Sequence, residues 1–261
     1  MVAHVTHPLD TAEAISAEAA WSWVERWDRQ QERYLPYRED RFQAMLDVVD
    51  RVLTDQPPRL LDLCCGNGAI SRRALNRWPD ATITAVDMDP LHLELGRRTL
   101  GDQVEWRDAD IRHEGWDDGL TPAGFDAVLS STAIHWLRRP DVVSLYGRIA
   151  RLLRPGGLFI NADHLPVDEP LVAKLSAGIL TAWQADRLHD AEDHAGFHAA
   201  ANRLPGLAGH ARKREQRFAD KPPGDELPLS DHRAILLTTG FREAGEIWRV
   251  HTDAILVAVL A

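Results

Sequence analysis

The sequence has few cysteines and no long apolar run, and both shortages exclude classes of protein. Its two cysteines, Cys64 and Cys65, are adjacent in a chain of 261 residues. A disulfide framework needs several spaced cysteines, so we expect the reducing setting of the cytoplasm. No apolar run approaches the roughly 18 residues that a membrane span needs, and the first residues lack the basic and apolar segments of a signal peptide. We therefore expect a cytoplasmic protein with no membrane partner.

Basic residues are also scarce relative to acids. Lys and Arg number 30 against 40 Asp and Glu, which gives a formal net charge of −10. Nucleic-acid-binding proteins usually carry a basic surface, and no long block of Lys and Arg stands out here. We expect no nucleic-acid partner and a small-molecule substrate, with monomer and homodimer both open. The length and the 44% hydrophobic content suit one globular α/β domain.

The sequence does contain a strand, a glycine turn and an acid in a regular order. The apolar run at residues 60–63 carries Asp62 and leads into a turn with Gly66 and Gly68. Glycine tolerates positive φ and lets the backbone approach a ligand closely. A second apolar run ends at Asp87, near the spacing of about 20 residues at which a Rossmann-type unit places its ribose-binding acid. The order predicts a nucleoside site.

Strands and helices alternate from about residue 58 to residue 163, which is typical of a doubly wound, mostly parallel sheet. Each strand in this region is a short apolar segment bounded by turn residues or acids. Beyond the first two strands, the segments are one that ends at residues 108–110, one at 125–130 and one at 158–160.

The regions that flank this alternation are helical in pattern. Two helices are predicted before it, at about 11–33, opened by Thr11, and at about 38–54. Residues 164–230 interrupt it with a helical centre at about 168–190 and a proline-rich stretch after it. A helix from Ser230 and Asp231 to Thr239 follows, and the last two strands are predicted at 241–250 and 253–260.

Together these segments resemble the class I S-adenosylmethionine-dependent methyltransferases, closely over residues 58–163 and more loosely over 231–261. The stretch at 133–137, Ala-Ile-His-Trp-Leu, looks like the small-molecule branch that includes the trans-aconitate type. The resemblance implies a single domain over 1–261 with a Rossmann-like sheet of seven mostly parallel strands. Its parts would be an N-terminal helical cap (1–57), a cofactor-binding core (58–163), a substrate-side insertion between strands five and six (164–230), and a C-terminal helix and strand pair (231–261).

The resemblance also implies the activity. The chain would be an enzyme that transfers a methyl group from S-adenosyl-L-methionine to an oxygen, nitrogen or carbon of a small molecule. Its Ala-, Arg-, Asp- and Trp-rich composition is associated with bacteria whose methyltransferases serve biosynthesis in specialised metabolism. Two alternatives stay open: a non-methylating reaction with the same cofactor, such as a cyclisation, and a binding protein that has lost catalysis.

Residue by residue, the resemblance places the first two strands against the cofactor. Asp62 would lie near the ammonium group, and Gly66 and Gly68 along the methionine part. Asp87 would accept from both ribose hydroxyls, and Met88 would cover the adenine, with ordinary core packing as its alternative. The family usually has glycine where Cys64 stands in this turn, and a small residue is compatible with it.

Later segments supply the remaining cofactor candidates. Asp108 would accept from the adenine amino group, with Asp110 as its competitor, and Ala109 would offer its backbone N–H. Ser130 would end the fourth strand below the methyl-bearing sulfur. The Tyr-x-x-Tyr-x-x-x-Arg spacing resembles a pattern of the trans-aconitate type. In it, Arg41 would pair with the cofactor carboxylate and Tyr34 would cover the methyl-transfer site; a solvated helix face and packing are the alternatives.

Two histidines are candidate general bases for acceptors that must lose a proton. His135 follows the fourth strand beside the expected methyl position, although it can equally form the pocket wall. His164 follows the fifth strand, where Asp163 can orient its ring. The insertion also holds a group of histidines and acids, but a polar helix surface has the same composition and we expect no metal. That group is His189, Asp190, Asp193, His194 and His198.

Overall fold

The computed structural model describes residues 14–53, 56–188 and 192–261. Seven strands form one sheet in the order β3-β2-β1-β4-β5-β7-β6. Strands β1 to β5 pair in parallel, and β7 is antiparallel to both β5 and β6. This confirms the predicted Rossmann-like sheet. The strands are β1 Arg59–Leu63, β2 Thr82–Asp87, β3 Glu105–Asp108, β4 Phe125–Ser131, β5 Leu153–His164, β6 Phe241–Val250 and β7 Asp253–Leu260.

Helices precede the sheet, cover its faces and form the insertion. Within the described ranges, no helix is long and apolar enough to cross a membrane. Helix α1 begins after its N-cap Ser16, whereas the predicted cap Thr11 lies outside the described residues. The helices are α1 Ala17–Tyr34, α2 Arg38–Val52, α3 Ala69–Arg77, α4 Pro90–Leu100, α5 Arg139–Leu152, α6 Pro170–Leu188, α7 His194–Arg203, α8 Pro205–Phe218 and α9 Leu229–Thr238.

The alternation of side chains along β1 explains why helices cover both faces of the sheet. Successive side chains of a strand point to opposite faces. Leu61 and Leu63 join the buried cluster that contains Tyr146 of α5. Leu60 joins the cluster on the other face with Met45 of α2. A strand that is buried on both faces explains the continuous apolar run in the sequence.

The insertion contains more helix than the sequence predicts. The helical centre at 168–190 corresponds to α6, but α7 and α8 were not predicted. Their buried residues are few, namely Phe197 and Ala201 in α7 and Leu207 and Ala211 in α8. Because the buried stripe of each helix is one large residue and one alanine, the periodic signal is weak. These residues pack against α1 and α4 in a third apolar cluster.

The strand order places the functional edge of the sheet. The order reverses between β1 and β4, and in open α/β sheets ligands bind beyond the carboxyl ends of the strands at such a point. Strand β7 runs the other way, so its first residue lies at this same edge: Asp253 is paired in register with His164, the last residue of β5. An antiparallel strand thus adds a carboxylate to the edge where the parallel strands end.

Candidate active site

A cleft opens at the carboxyl ends of β1, β2 and β4, and Asp62 of β1 lies at its base. One oxygen of Asp62 accepts from the backbone N–H (3.0 Å) and the hydroxyl (2.6 Å) of Ser71. Its other oxygen, Oδ1, is buried with no hydrogen-bond donor among the described residues. Burial raises the pKa of Asp62 to about 7, although the hydrogen bonds from Ser71 oppose this. A cationic donor in the cleft would satisfy the oxygen and stabilise its charge.

The turn after β1 adopts left-handed backbone at three positions. The φ angles are 58° at Cys64, 56° at Gly66 and 81° at Gly68. Cys64 and Gly66 line the cleft, and a Cβ on Gly66 would meet nothing within 4 Å. Gly68 is not among the lining residues, since a Cβ there would lie 2.7 Å from the ring of Trp106. The structure thus places Gly68 as a turn and packing position, and its expected contact with the cofactor stays a prediction.

Asp87 at the end of β2 braces this turn. Its two oxygens accept from the backbone N–H of Gly66 and of Asp89, each at 2.7 Å. Burial and the nearby charge of Asp89 raise the pKa of Asp87 to about 6. Each carboxylate oxygen has a further lone pair for a ligand hydroxyl. Met88, the next residue, also lines the cleft.

The aspartate that lines the cleft after β3 is Asp110. Ala109 and Asp110 both line it, and Asp110 is bound by Arg112 at 2.6 Å. Asp108 lines an outer groove beside the cleft and pairs with Arg217 (Nη2 to Oδ2, 3.0 Å). Of the two aspartates that competed for the adenine contact, the structure places Asp110 in the cleft and Asp108, the last residue of β3, in a salt bridge outside it. The expected role of Asp108 stays a prediction.

The end of β4 differs from the expectation by one residue. Ser130 is fully buried within the strand and does not line the cleft. Ser131 and Thr132 line it instead. Thr132 has a φ of 56°, which is a rare backbone conformation for a β-branched residue.

Arg41 does not line the cleft, so its expected pairing with the cofactor carboxylate stays a prediction. It is 1% exposed and bonds to Asp253 at 3.2 Å, to Ser131 at 3.0 Å and to Thr132 at 2.7 Å. Burial lowers its pKa, and Asp253 opposes that shift. The arginine of α2 that does line the cleft is Arg38, one helical turn earlier, which pairs with Asp28 at 3.0 Å; Arg112 and Arg214 line the cleft from other segments.

A second cavity adjoins the cleft and contains the remaining predicted residues. Tyr34, His135 and His164 all line it. Thr132, Trp136 and Lys221 line both the cleft and the second cavity, so the two spaces meet there. The lining includes no Asp or Glu among the described residues, and its basic and titratable members are His135, His164, His194, His198, Arg214 and Lys221.

Buried carboxylates lie behind both candidate bases. The Nδ1 atom of His135 lies 2.5 Å from Asp163, and that of His164 lies 3.1 Å from Asp253. The two rings are 5.0 Å apart. Asp163 was expected to orient the ring of His164, but it bonds the ring of His135 instead. Its hydrogen bond with His164 comes from the backbone N–H and not from the ring.

The buried carboxylates and the histidine rings shift each other's titration. Burial would raise the pKa of Asp163, but His135 holds it well below its usual range. Burial would lower the pKa of His164, but the hydrogen bond and charge of Asp253 raise it above the ordinary value. Asp253 therefore favours the protonated form of His164, which can donate into the second cavity.

The domain family described as "Methyltransferase domain" matches residues 60–157. The trans-aconitate 2-methyltransferase of Azoarcus sp. (strain BH72) is 35% identical over 189 residues, which cover 72% of this chain and 70% of that protein. The chain belongs to the class I S-adenosylmethionine-dependent methyltransferases, of the trans-aconitate type. This methyltransferase uses S-adenosyl-L-methionine as its cofactor.

Other similarities are more distant. The trans-aconitate 2-methyltransferase of Rhodopseudomonas palustris (strain BisB18) is 30% identical over 144 residues, so the chain spans about half of that relative, 52% of its length. The solved structure of the PH0226 protein from Pyrococcus horikoshii OT3 covers 87% of this chain and 92% of that chain, with a TM-score of 0.57 at 14% identity. This second likeness shows the shared fold.

The cleft of the methyltransferase fits its cofactor on structural grounds. Oδ1 of Asp62 lacks a donor, and Nδ2 of the buried Asn67 has no acceptor among the described residues. The cofactor carries an ammonium group to donate and a carboxylate to accept. The raised pKa values of Asp62 and Asp87 point to the same need for donors and positive charge.

The basic residues of α8 and of the segment after it, which lie over the cleft and the second cavity, were not predicted from the sequence. Arg214 of α8 pairs with Asp89 at 2.7 Å, and Arg217 donates to the carbonyl of Met88 at 2.7 Å. Beyond the helix, the ammonium of Lys221 lies 5.0 Å above the ring of Trp136. The basic run at 212–217 in an acidic chain is the signal that would have indicated these contacts.

The histidines of the insertion belong to an aromatic cluster. His194 stacks on Tyr34 at 4.8 Å, and His198 lies 6.0 Å from the ring of Trp27. Burial lowers the pKa of His198 to about 3, so it is neutral. Within the described ranges no three His, Cys, Asp or Glu residues group as metal ligands. His189 and Asp190 lie outside the described residues.

Proposed function

We propose that this methyltransferase methylates a carboxylate of a small polycarboxylate, with trans-aconitate as the first acceptor to test. The observation that carries the proposal is the absence of Asp and Glu from the described lining of the second cavity. The whole chain has 40 acids and a net charge of −10. A cavity without acids in such a chain, lined by Arg214 and Lys221, favours an anion.

The buried pairs below the cavity strengthen this preference. Asp163 bonds the ring of His135, whereas Asp253 bonds the ring of His164 and favours its charged form. The two rings meet edge to face with their centroids 5.0 Å apart. Charge-assisted hydrogen bonds from such donors are shorter and stronger than neutral ones. An acceptor with several carboxylates can use more than one of these donors at once, which a neutral phenol or amine cannot.

A carboxylate acceptor also decides what the protein has to supply. S-adenosylmethionine, when bound, supplies an electrophilic methyl group that an ionised carboxylate can take without first losing a proton. The protein then has to position the acceptor and exclude water rather than remove a proton. His135 and His164 would therefore hold and orient the anion instead of acting as general bases.

The cofactor contacts that we propose follow the geometry of the cleft. Asp62, with its unpartnered Oδ1, would hold the ammonium group, and Asp87 would accept from the ribose hydroxyls. Asp110 and the backbone of Ala109 would bind the adenine edge, and Arg38 would face the cofactor carboxylate. Cys64, Gly66 and Met88 line the same cleft and would complete the wall.

The test is an acceptor screen with the purified protein and S-adenosylmethionine. Trans-aconitate, cis-aconitate and citrate are compared with a phenol and a primary amine, and methylated product is identified by mass spectrometry. We expect a methyl ester of at least one polycarboxylate and none of the other two products. Methylation of only the phenol or the amine would contradict the proposal. Consumption of cofactor without a methylated product would favour the non-methylating alternative, and binding of cofactor without turnover would favour a protein that has lost catalysis.

A further inference from the structure

Thr132 has an unusual backbone at the place where the cleft meets the second cavity. Its φ is 56°, in the left-handed region that β-branched residues avoid. It lines both spaces and follows the end of β4 directly. Strained residues of this kind persist only where their surroundings fix them, and they cluster at functional sites. Glycine would fit the backbone without strain, so the side chain itself needs an explanation.

The surroundings that fix Thr132 are buried and charged. Its backbone N–H donates to the carbonyl of Ala162 at 2.9 Å. Its hydroxyl accepts from Nη2 of Arg41 at 2.7 Å, and the same nitrogen donates to Ser131 at 3.0 Å. Nη1 of Arg41 is anchored by Asp253 at 3.2 Å. A fully buried guanidinium is therefore aimed at the hydroxyl of a residue that lines the junction.

The hydrogen bonds of Ser131 and Thr132 leave one of these two hydroxyls with a proton to give, and it is that of Thr132 when Ser131 donates to Thr132. Arginine only donates, so the Ser131 and Thr132 oxygens both act as acceptors toward Arg41. The two hydroxyls lie 3.2 Å apart, and only one of their protons can lie between them. Neither hydroxyl has another acceptor in the part of the chain that the structure describes. A hydroxyl that accepts from a cation is also a stronger donor itself.

We propose that Thr132 determines acceptor specificity by donating a hydrogen bond from its hydroxyl to an acceptor carboxylate at the junction, with Arg41 as the positioning residue that holds that hydroxyl in place. The inference rests on the proposed carboxylate acceptor. It gives the buried Arg41 a role through Thr132, rather than the direct cofactor contact expected from the sequence. It also explains why a threonine occupies a position that suits glycine.

The test compares Thr132→Ser, Thr132→Ala and Thr132→Gly in steady-state assays with trans-aconitate. Binding of S-adenosylhomocysteine by calorimetry reports on the cleft separately. Loss of a hydrogen bond to a charged group corresponds to a fall of about tenfold or more in kcat/KM, which we expect for the Ala and Gly variants. We expect the Ser variant to keep kcat/KM within about threefold of the wild-type value. The Kd for S-adenosylhomocysteine should stay within about threefold of wild type in all three variants. Thr238→Ala, which removes a hydroxyl from α9 away from both spaces, is the matched control.

Each outcome decides between the two proposals. A wild-type enzyme that methylates none of the polycarboxylates defeats the proposed function, and this inference with it. An active wild type with unchanged kcat/KM in the Ala and Gly variants overturns this inference alone. If the Ala and Gly variants lose stability, the test rests on the Ser variant, provided that its Tm equals that of the wild type. Retained kcat/KM in that variant supports the role of the hydroxyl, and lost kcat/KM refutes it.

Arg41→Lys tests the positioning role. Lysine keeps the charge but lacks the planar fork in which Nη1 bonds Asp253 while Nη2 bonds the two hydroxyls. We expect a higher KM or lower kcat for trans-aconitate with an unchanged Kd for S-adenosylhomocysteine. The double variant Arg41→Lys/Thr132→Ala should be no worse than Thr132→Ala, because both changes remove one interaction. If the two changes lower kcat/KM additively, or if only the binding of S-adenosylhomocysteine weakens, Arg41 does not act through Thr132.

Discussion

The cleft and the second cavity share a wall but differ in the acids that line them. Four aspartates line the cleft, namely Asp62, Asp87, Asp89 and Asp110, together with Arg38, Arg112, Arg214 and Lys221, whereas the second cavity has no Asp or Glu in its described lining. Burial raises the pKa values of Asp62 and Asp87 in the cleft, and Asp253 raises the pKa of His164 beside the second cavity. The cleft therefore offers carboxylates to the donors of a ligand, whereas the second cavity offers donors to an anion, as the proposed methyl transfer to a carboxylate needs.

The largest expected effect is on the acidic side. Asp87→Ala removes the acceptor for the proposed ribose hydroxyls and the brace of the glycine turn. Since each hydrogen bond to a charged group contributes about 1.5–3 kcal/mol, S-adenosylhomocysteine should bind at least about 100-fold more weakly by calorimetry. Asp102→Ala at the exposed surface is the control. Unchanged binding in Asp87→Ala would show that the cleft is not organised around this carboxylate.

Placing an acid in the second cavity should weaken binding of an anionic acceptor. Lys221→Glu reverses a charge that lines the cavity, and we expect the KM for trans-aconitate to rise about tenfold or more through loss of attraction and gain of repulsion. Lys213→Glu makes the same charge change on the exposed face of α8. An equal KM for the two variants would show that the charge inside the cavity does not select the acceptor.

The two spaces should also respond to pH in opposite directions. In the cleft, the pKa values of Asp62 (about 7) and Asp87 (about 6) mean that both carboxyls protonate as pH falls through that range. The cofactor needs them ionised, so binding releases protons, and affinity should fall by up to about tenfold per pH unit below 7 for each coupled proton. Calorimetry at pH 5.5 to 8 in buffers of different ionisation enthalpy measures this, and Asp62→Asn should flatten the profile. An affinity that rises as pH falls would contradict the assignment.

In the second cavity, the pH dependence of ligand binding should have the opposite sign. Asp253 raises the pKa of His164, so the ring is protonated below that raised value and neutral above it. If protonated His164 binds the anion, the KM for trans-aconitate should increase a few-fold as pH rises through the pKa, as for one charge-assisted hydrogen bond. His164→Gln should remove this limb of the pH profile. A limb that persists unchanged in His164→Gln would assign the titration to another group.

The smallest effect concerns Cys64, which directly follows a strand and has left-handed backbone, as Thr132 and His251 also do. Cys64→Gly places the residue usual in the family where φ is 58°, and relief of strain exceeds the entropy cost of glycine by less than about 1 kcal/mol. We expect Tm to rise by a few degrees in thermal denaturation. A lower Tm would mean that packing of the Cys64 thiol outweighs the backbone strain.

The same contrast explains how much of the site the sequence could predict. The cleft is built from strand ends and turns that are contiguous in sequence, so Asp62, Gly66 and Asp87 were assigned from one motif. Where the lining differs from the assigned residues, it differs by one or two positions, as with Asp108 and Asp110, because the point at which a strand ends decides which side chain faces the cleft.

The second cavity could be predicted only in part, because it is built from distant segments. His135 and His164 were assigned from their places after strands, but Asp163, which was expected to orient His164, bonds His135, and His164 bonds Asp253. Asp253 reaches this edge only because β7 is antiparallel, and Arg41 meets it from α2. Such partners are set by packing of the whole sheet and leave no local pattern. The fold itself was predictable, since apolar periodicity and strand–helix alternation are local signals.

The late position of β7 in the sequence has a consequence for the order in which the parts of the site are synthesised. The residues that line the cleft from the sheet are all synthesised before β5 is complete, so that half of the site can assemble on a growing chain. His164 and Arg41 are made early too, but the carboxylate that they share arrives with β7. A nascent or shortened chain would thus gain a place for the cofactor before it gains the carboxylate behind the second cavity.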